Sequence, residues 1–243
     1  MVVVTSPFPS VWAREPRQPR TSGLRREQIV AAAVELLDAE GLESFSMRKL
    51  GAKLDAGATS LYWYVANKTE LLELALDEVW GLIQVPEPGD ASWREAATTF
   101  AYSLRATLLG HDWAAMLLGQ MPSVGPNSFA LTDRLRRTFT GAGFAGVDIY
   151  LASGTLMSFV LGQVIPDISL RKTALAGVTT EAVAAMVDQL AADYPEVRAD
   201  YRDTVPSDPQ VARAVAFDFG LLCVLDGLAA RLSPDVRTDV PRD

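Results

Sequence analysis

An all-α fold, with a small N-terminal helix-turn-helix domain ahead of a larger helical body, is what the 243-residue sequence predicts. Three observations carry that prediction. Apolar residues recur at three- and four-residue spacing through most of the chain, and no stretch alternates at strand period between turn signals. Capping residues and Gly/Pro breaks cut the chain into segments of helical length. Near the N-terminus, two short helices are joined by a three-residue break with a longer helix on either side.

The elements follow in order. Residues 1–23 carry prolines at 7, 9, 16 and 19, several arginines and no apolar period, the composition of a disordered basic arm. From Leu24, a first helix places Ile29, Ala33, Leu36 and Leu37 at helical spacing and meets Gly41 as its C-cap. Ser46 caps a second helix carrying Met47, Leu50 and Leu54. Asp55-Ala56-Gly57 breaks it, and Ala58–Tyr64 forms a third helix of barely two turns. Asn67, with Glu70 three residues on, opens a fourth helix in a capping-box-like pattern, running through Leu71, Leu72, Leu74, Ala75, Leu76 and Val79 to Leu82. Gln84–Ala91, with Pro86, Pro88 and Gly89, reads as a linker. Ser92 and Glu95 form a second capping box ahead of a helix through Phe100, Leu104 and Leu108. Further helices are predicted over 112–120, 127–142, 146–164, 179–193 and 209–232, punctuated by Pro122, Gly125-Pro126, Gly143 and Pro166. Residues 194–208 are predicted to be a polar loop. The domains expected are the arm (1–23), a helix-turn-helix domain (24–70) and a larger helical domain (71–243).

Composition narrows the function classes. Cys223 is the single cysteine, which excludes an intramolecular disulfide or a multi-thiolate zinc site and fits a reducing, cytoplasmic setting. The opening residues break at prolines after a short apolar run, unlike a secretory signal. No window approaches about 20 uninterrupted apolar residues, so no membrane partner is expected. Net charge is −8, yet residues 1–70 hold nine Lys/Arg against eight Asp/Glu, and the remainder thirteen against twenty-two. Arg14, Arg17, Arg20, Arg25 and Arg26 form one basic group; Arg48, Lys49, Lys53 and Lys68 form another. Phosphate attraction acts over roughly 8–10 Å at cellular salt, so a basic end on an acidic body suits a duplex reader.

A helix about 10–12 Å across fits the major groove of B-DNA when a second helix braces it against the backbone. The segment SMRKLGAKLDAGATSLYWYVANKTELLELAL supplies both parts. Leu50, Leu54, Leu61 and Val65 pack the two helices together. Arg48 and Lys68 sit at the edges, where phosphates lie. The outer face of the short helix offers Ala58, Thr59, Ser60, Tyr62 and Trp63.

Residues 24–76, with "S-M-R-K-L-x-x-x-L", "S-L-Y-W-Y-V" and "N-K-x-E-L-L" in succession, resemble the tetracycline-repressor (TetR) family of bacterial regulators. The resemblance implies that Ala58, Thr59, Ser60 and Tyr62 face the groove, with Met47, Arg48, Tyr64 and Lys68 adding contacts. It departs at Asp55, where the family usually has glycine at a turn. Small Ala58 and Thr59 leave few side chains for bidentate base reading.

The resemblance extends into the C-terminal body through SLRATLLGHDWAAMLLGQMP and GFAGVDIYLASGTLMSFVLG. It implies that the helices near 146–164 and 209–232 form a four-helix bundle with those of a second copy, making a homodimer. In the first of them Ala152, Ser153, Gly154 and Ser158 permit close approach, and Tyr150, Leu151, Met157, Phe159 and Leu161 fill the seam. Helices apolar on every side need cover on every side. The resemblance also implies a pocket for a small effector, with Trp80, Gln84, Phe100, Leu104, Trp113, Met116, Leu117, Gln120 and Met121 as candidate lining. Leu117 stands where the tetracycline repressor places a metal-binding histidine, so the effector expected is mostly apolar rather than a magnesium–drug chelate. No metal or cofactor is expected, and His111, the only histidine, reads as a surface or helix N-terminal residue.

The expectation is a ligand-responsive transcriptional regulator, binding a palindromic double-stranded operator as a dimer. The alternatives are a DNA-binding protein without a ligand and a helical enzyme. The enzyme reading lacks a nucleophile–base pair, a Glu-x-x-His metal motif, a P-loop and a dinucleotide fingerprint, and no catalytic residue is assigned.

Overall fold

The computed structural model describes residues 10–13, 24–175, 180–204 and 208–232. These residues form eleven α-helices and, among them, no strand beyond isolated bridges. The chain divides into two compact units between Ala142 and Gly143.

In the first unit, α1 (Arg26–Ser44) buries Ile29, Val30, Ala33, Leu36 and Leu37. Gly41 takes φ +77° near its end, a left-handed conformation costly to any residue with a Cβ, so it breaks the regular helix where the sequence predicted a cap. Ser46 then caps α2 (Met47–Lys53), its hydroxyl accepting from the Lys49 N–H at 3.3 Å. Asp55 follows with φ +49°, the strained turn position that the sequence marked. α3 is shorter than predicted: regular helix covers Ala58–Leu61, and a turn carries the chain on to Val65. Asn67 caps α4 (Lys68–Gly81), its carbonyl oxygen accepting from the Glu70 N–H at 2.8 Å. Glu70 reaches back to the Ala66 N–H rather than to that of Asn67.

The segment predicted as a linker is tacked down. Gln84 donates its N–H to Ser103 Oγ, Val85 is buried, and Arg134 reaches the Val85 carbonyl and the Glu87 carboxylate. Ser92 and Glu95 close the predicted capping box at the start of α5 (Trp93–Gly110). The hydroxyl and backbone N–H of Ser92 hold the Glu95 carboxyl below the usual carboxylate range. α6 (Asp112–Leu117) and α7 (Pro126–Ala142) complete the unit, and α4 packs on both α1 and α7.

The second unit departs from the sequence reading in two places. Pro166 does not end a helix: α8 runs from Asp148 to Leu175 straight through it. Proline costs the helix one hydrogen bond and crowds the carbonyl four residues back, but the turns on either side of Pro166 are packed. Val164 and Ile168 are buried, and Asp167 accepts from Arg171 at 3.1 Å and from Arg213 at 2.8 Å. The stretch Asp148–Lys172 is long and apolar enough by composition to cross a membrane, but a buried, ion-paired Asp167 belongs to a packed bundle. The predicted polar loop contains a helix, α10 (Pro195–Thr204), behind α9 (Thr180–Leu190). Pro195 at its first position and Glu196 in its first turn are ordinary helix openers. The two are tied by Arg198 to Asp188 at 2.9 Å. α11 (Pro209–Leu232) packs on α8, with the Phe159 and Phe217 rings 5.3 Å apart. Phe159, expected in the seam between copies, therefore faces its own chain, as does buried Ala152.

Candidate nucleic-acid interface and sensor helices

The helix-turn-helix is held by a dry seam. Leu50, Leu61 and Val65 are fully buried, Leu54 is half-buried, and α2 packs directly on α3. Burying the inner side of so short a helix leaves Thr59, Ser60, Tyr62 and Trp63 on the outside, Tyr62 44% and Trp63 55% exposed. Tyr64 is half-buried and Met47 is buried, so Met47 supports the seam rather than the surface. Two aromatic rings on the outer surface of this turn are costly to leave in water and are of a kind that can make stacking and methyl contacts with base edges.

The basic group around this turn is only partly available. Lys49 pairs with Glu40, and Lys53 with Glu35 at 2.9 Å, both acids lying on α1. Lys68 donates to the Phe45 carbonyl at 2.9 Å, with its ammonium 5.3 Å from the Phe45 ring centre. Arg48 is exposed on the second residue of α2. Exposed ion pairs are worth about 0–1 kcal/mol, so the lysines can exchange an acid for a phosphate, whereas Arg48 has no described partner to give up. Arg14, Arg17 and Arg20 lie outside the described residues; Arg26 stacks on Trp12, 5.9 Å from its ring centre.

The residues proposed to line a pocket separate into two sets. Trp80, Phe100, Leu104, Trp113 and Leu117 are buried; Gln84, Met116 and Gln120 are exposed, and Met121 is intermediate. Two of the buried set are already engaged: Trp80 Nε1 donates to Ser123 Oγ at 3.1 Å, and Trp113 Nε1 to Asp38 Oδ1 at 2.7 Å. A cavity of about 350 Å³ lies elsewhere, between the start of α5 and the end of α7, lined by Trp93, Ala96, Arg137 and Thr138 among others. None of the nine expected residues borders it.

Comparison with known proteins decides the family. A family model described as bacterial regulatory proteins, tetR family, matches residues 29–75, and one described as a tetracyclin repressor-like C-terminal domain matches residues 85–232. The chain belongs to the TetR family. It is a DNA-binding, helix-turn-helix transcriptional regulator. An HTH-type transcriptional regulator of Saccharopolyspora erythraea is 38% identical over 91% of this chain and 92% of its own length. The HTH-type transcriptional repressor DrrR1 of Streptomyces coeruleorubidus is 31% identical over 88% of this chain and 81% of its own. Among solved structures, the TetR-family protein ActR of Streptomyces coelicolor, in complex with actinorhodin, is similar with TM-score 0.74 and 29% identity. That likeness spans 87% of this chain and 100% of ActR.

Within this TetR chain, the polar joints between helices escaped the sequence reading. Asp77, buried on α4, caps α7: its two oxygens accept from the N–H groups of Asn127 and Ser128 at 3.1 and 3.0 Å. Asp38 on α1 accepts from Trp113 and bonds His111 Nδ1 at 2.8 Å, so His111 ties the α5–α6 junction to α1 instead of facing solvent freely. Glu73, also buried on α4, accepts from Ser10 and Val11 of the N-terminal segment. That segment was expected to be disordered but forms a single 3-10 turn over Val11–Ala13. One signal was present: in LLELALDEVW, Glu73 and Asp77 stand one helical turn apart on the apolar side of the run, with Glu78 the third acid and exposed, and buried carboxylates require donors.

Proposed function

We propose that this regulator acts as a homodimeric repressor, presenting residues 58–64 of two copies to successive turns of one operator face and releasing it when a small, mostly apolar effector binds. The observation that carries the reading is the shared placement of α4. It packs on α1, while its Asp77 and Trp80 hold the start of α7 and Ser123. An effector that shifts α6 or α7 therefore has a direct mechanical path to the helices that meet DNA. Effector and operator then oppose each other reciprocally, typically by about 5–150-fold.

Dimerisation is supported by α11, which carries two apolar stripes. Phe217, Leu221, Leu225 and Leu228 are buried within the chain. Val211, Val215, Phe219 and Leu222 repeat the same spacing six residues earlier and are exposed, Phe219 by 71%. Tyr150, Leu151, Ile165 and Leu170 are exposed on α8. Apolar surface of this extent marks an interface, and twofold pairing through it matches half-sites about 34 Å apart. On this reading residues 24–70 form the DNA-binding domain and 71–243 the effector and dimer domain, in the cytoplasm. Arg48, Lys68, Thr59, Ser60, Tyr62 and Trp63 face the duplex, and Trp80, Phe100, Leu104, Leu117 and Met121 border the effector. ActR, solved with actinorhodin, supports a ligand-sensing role for the matching helices.

Selection of bound sites from random DNA tests the reading, with a pseudo-palindrome as the expected product. Arg48→Ala should weaken every sequence alike and reduce the salt slope by about one, whereas Tyr62→Ala should also change base preference. A panel of small molecules, scored by the rise in melting temperature, identifies the effector class. A chain that stays monomeric and ignores duplexes at low ionic strength overturns the proposal.

A further inference from the structure

We infer that Ser10–Ala13 is an intramolecular strap that fixes the start of α1 on α4 and thereby positions the DNA-binding helices for the operator; the inference rests on the operator-binding reading above. Glu73 is the centre of the argument. It is 5% exposed within the most apolar part of α4, where a carboxylate is costly unless its oxygens are hydrogen-bonded. Among the described residues no Lys or Arg pairs with it. Its Oε2 instead accepts from the Val11 N–H and the Ser10 hydroxyl, both at 2.9 Å. Ser10 and Val11 are themselves buried, and the Ser10 oxygen accepts in turn from the Trp12 N–H at 3.3 Å.

The other side of the strap meets α1. The Trp12 ring lies 5.9 Å from the guanidinium carbon of Arg26, the first residue of that helix, in a cation–π arrangement. Three consecutive residues thus touch α4 through a carboxylate and α1 through a cation, bridging two helices that also pack on each other. A carboxylate that, among the described residues, this segment alone satisfies makes the seat specific: removing the strap takes both described donors from buried Glu73. Glu73 and the strap are positioning groups: Glu73, Ser10 and Val11 are buried.

The test uses the full-length chain and a duplex selected by the wild type. Ser10→Ala/Trp12→Ala removes the hydroxyl and the ring, with no change of charge. Glu73→Leu removes the acceptor but keeps the α4 site filled, so folding survives. Hydrogen exchange should show the Val11 amide protected in the wild type and unprotected in Glu73→Leu. Operator affinity should fall about fivefold in both variants with the slope of log affinity against log salt unchanged, because no phosphate contact is lost. A Val11 amide that exchanges freely in the wild type overturns the strap. So does an affinity that is unchanged or raised, or a reduced salt slope, which would assign the segment to direct phosphate contact. A wild-type chain that binds no duplex fails the operator reading, and the Val11 exchange then decides the strap alone.

Discussion

α4 and α11 are both more apolar than one packing face requires, and they resolve the surplus differently. From Leu71 to Asp77 every residue of α4 is buried, with Val79 and Trp80 beyond. Its neighbours α1, α6 and α7 come from the same compact unit, and its two buried carboxylates, Glu73 and Asp77, are bound by backbone N–H groups and a hydroxyl. α11 buries one stripe against its own unit and leaves a second, equally apolar stripe in water. The first helix is finished by its own chain. The second, among the described residues, is not. A helix's apolar excess therefore says nothing about function until the structure shows who covers it.

The largest expected effect breaks the comparison on the α11 side. Phe219→Glu/Leu222→Glu places charge in the middle of the exposed stripe while leaving Phe217, Leu221 and Leu225 untouched. The variant should fold, sediment as a monomer and lose operator affinity toward the non-specific level, roughly a thousandfold or more. Analytical ultracentrifugation and an operator titration measure both. A dimeric double variant would show that the stripe faces something other than a second copy.

The next effect tests the closure of α4. A Cβ at Gly125 would overlap the Asp77 carboxylate, which accepts from two N–H groups at the start of α7. Gly125→Ala must push that carboxylate off its donors, stranding a buried charge. Hydrogen bonds to charged groups contribute about 1.5–3 kcal/mol, so stability should fall by about 2–3 kcal/mol in urea unfolding. No helix propensity offsets the loss, because Gly125 precedes α7. If α4 and α7 are the effector's route to DNA, the same variant should also weaken the antagonism between effector and operator.

The sequence was legible wherever structure is local. Ser46, Asn67 and Ser92 were read as caps and serve as caps, because a cap needs only its own next three residues. Gly41 and Asp55 were read as turn positions for the same reason and carry positive φ. The seam of Leu50, Leu61 and Val65 followed from periodicity. What failed to show was set by distant partners. Pro166 looked like a stop because the ion pairs of Asp167 with Arg213, 46 residues on, are invisible locally. Lys49 and Lys53 read as part of a free basic patch because Glu40 and Glu35 lie on a different helix. The docked Ser10–Ala13 has almost no pattern of its own; its only trace is the acid it satisfies on α4.

The smallest effect separates packing from polar linkage. Gly220 sits in the middle of α11 with the Phe159 ring edge 2.5 Å from where a Cβ would stand. The steric problem resembles that at Gly125, yet the neighbour is the far end of an apolar side chain holding no hydrogen bond. Overpacking of this kind costs about 1–3 kcal/mol, and replacing a mid-helix glycine by alanine returns about 1 kcal/mol of helix propensity. Gly220→Ala should therefore lower stability by only about 1 kcal/mol, and half as much as Gly125→Ala or less when both are unfolded in urea. A larger loss at Gly220 would mean that Phe159 cannot swing aside, and that the inner side of the α8–α11 pair is as tightly determined as the joint between α4 and α7.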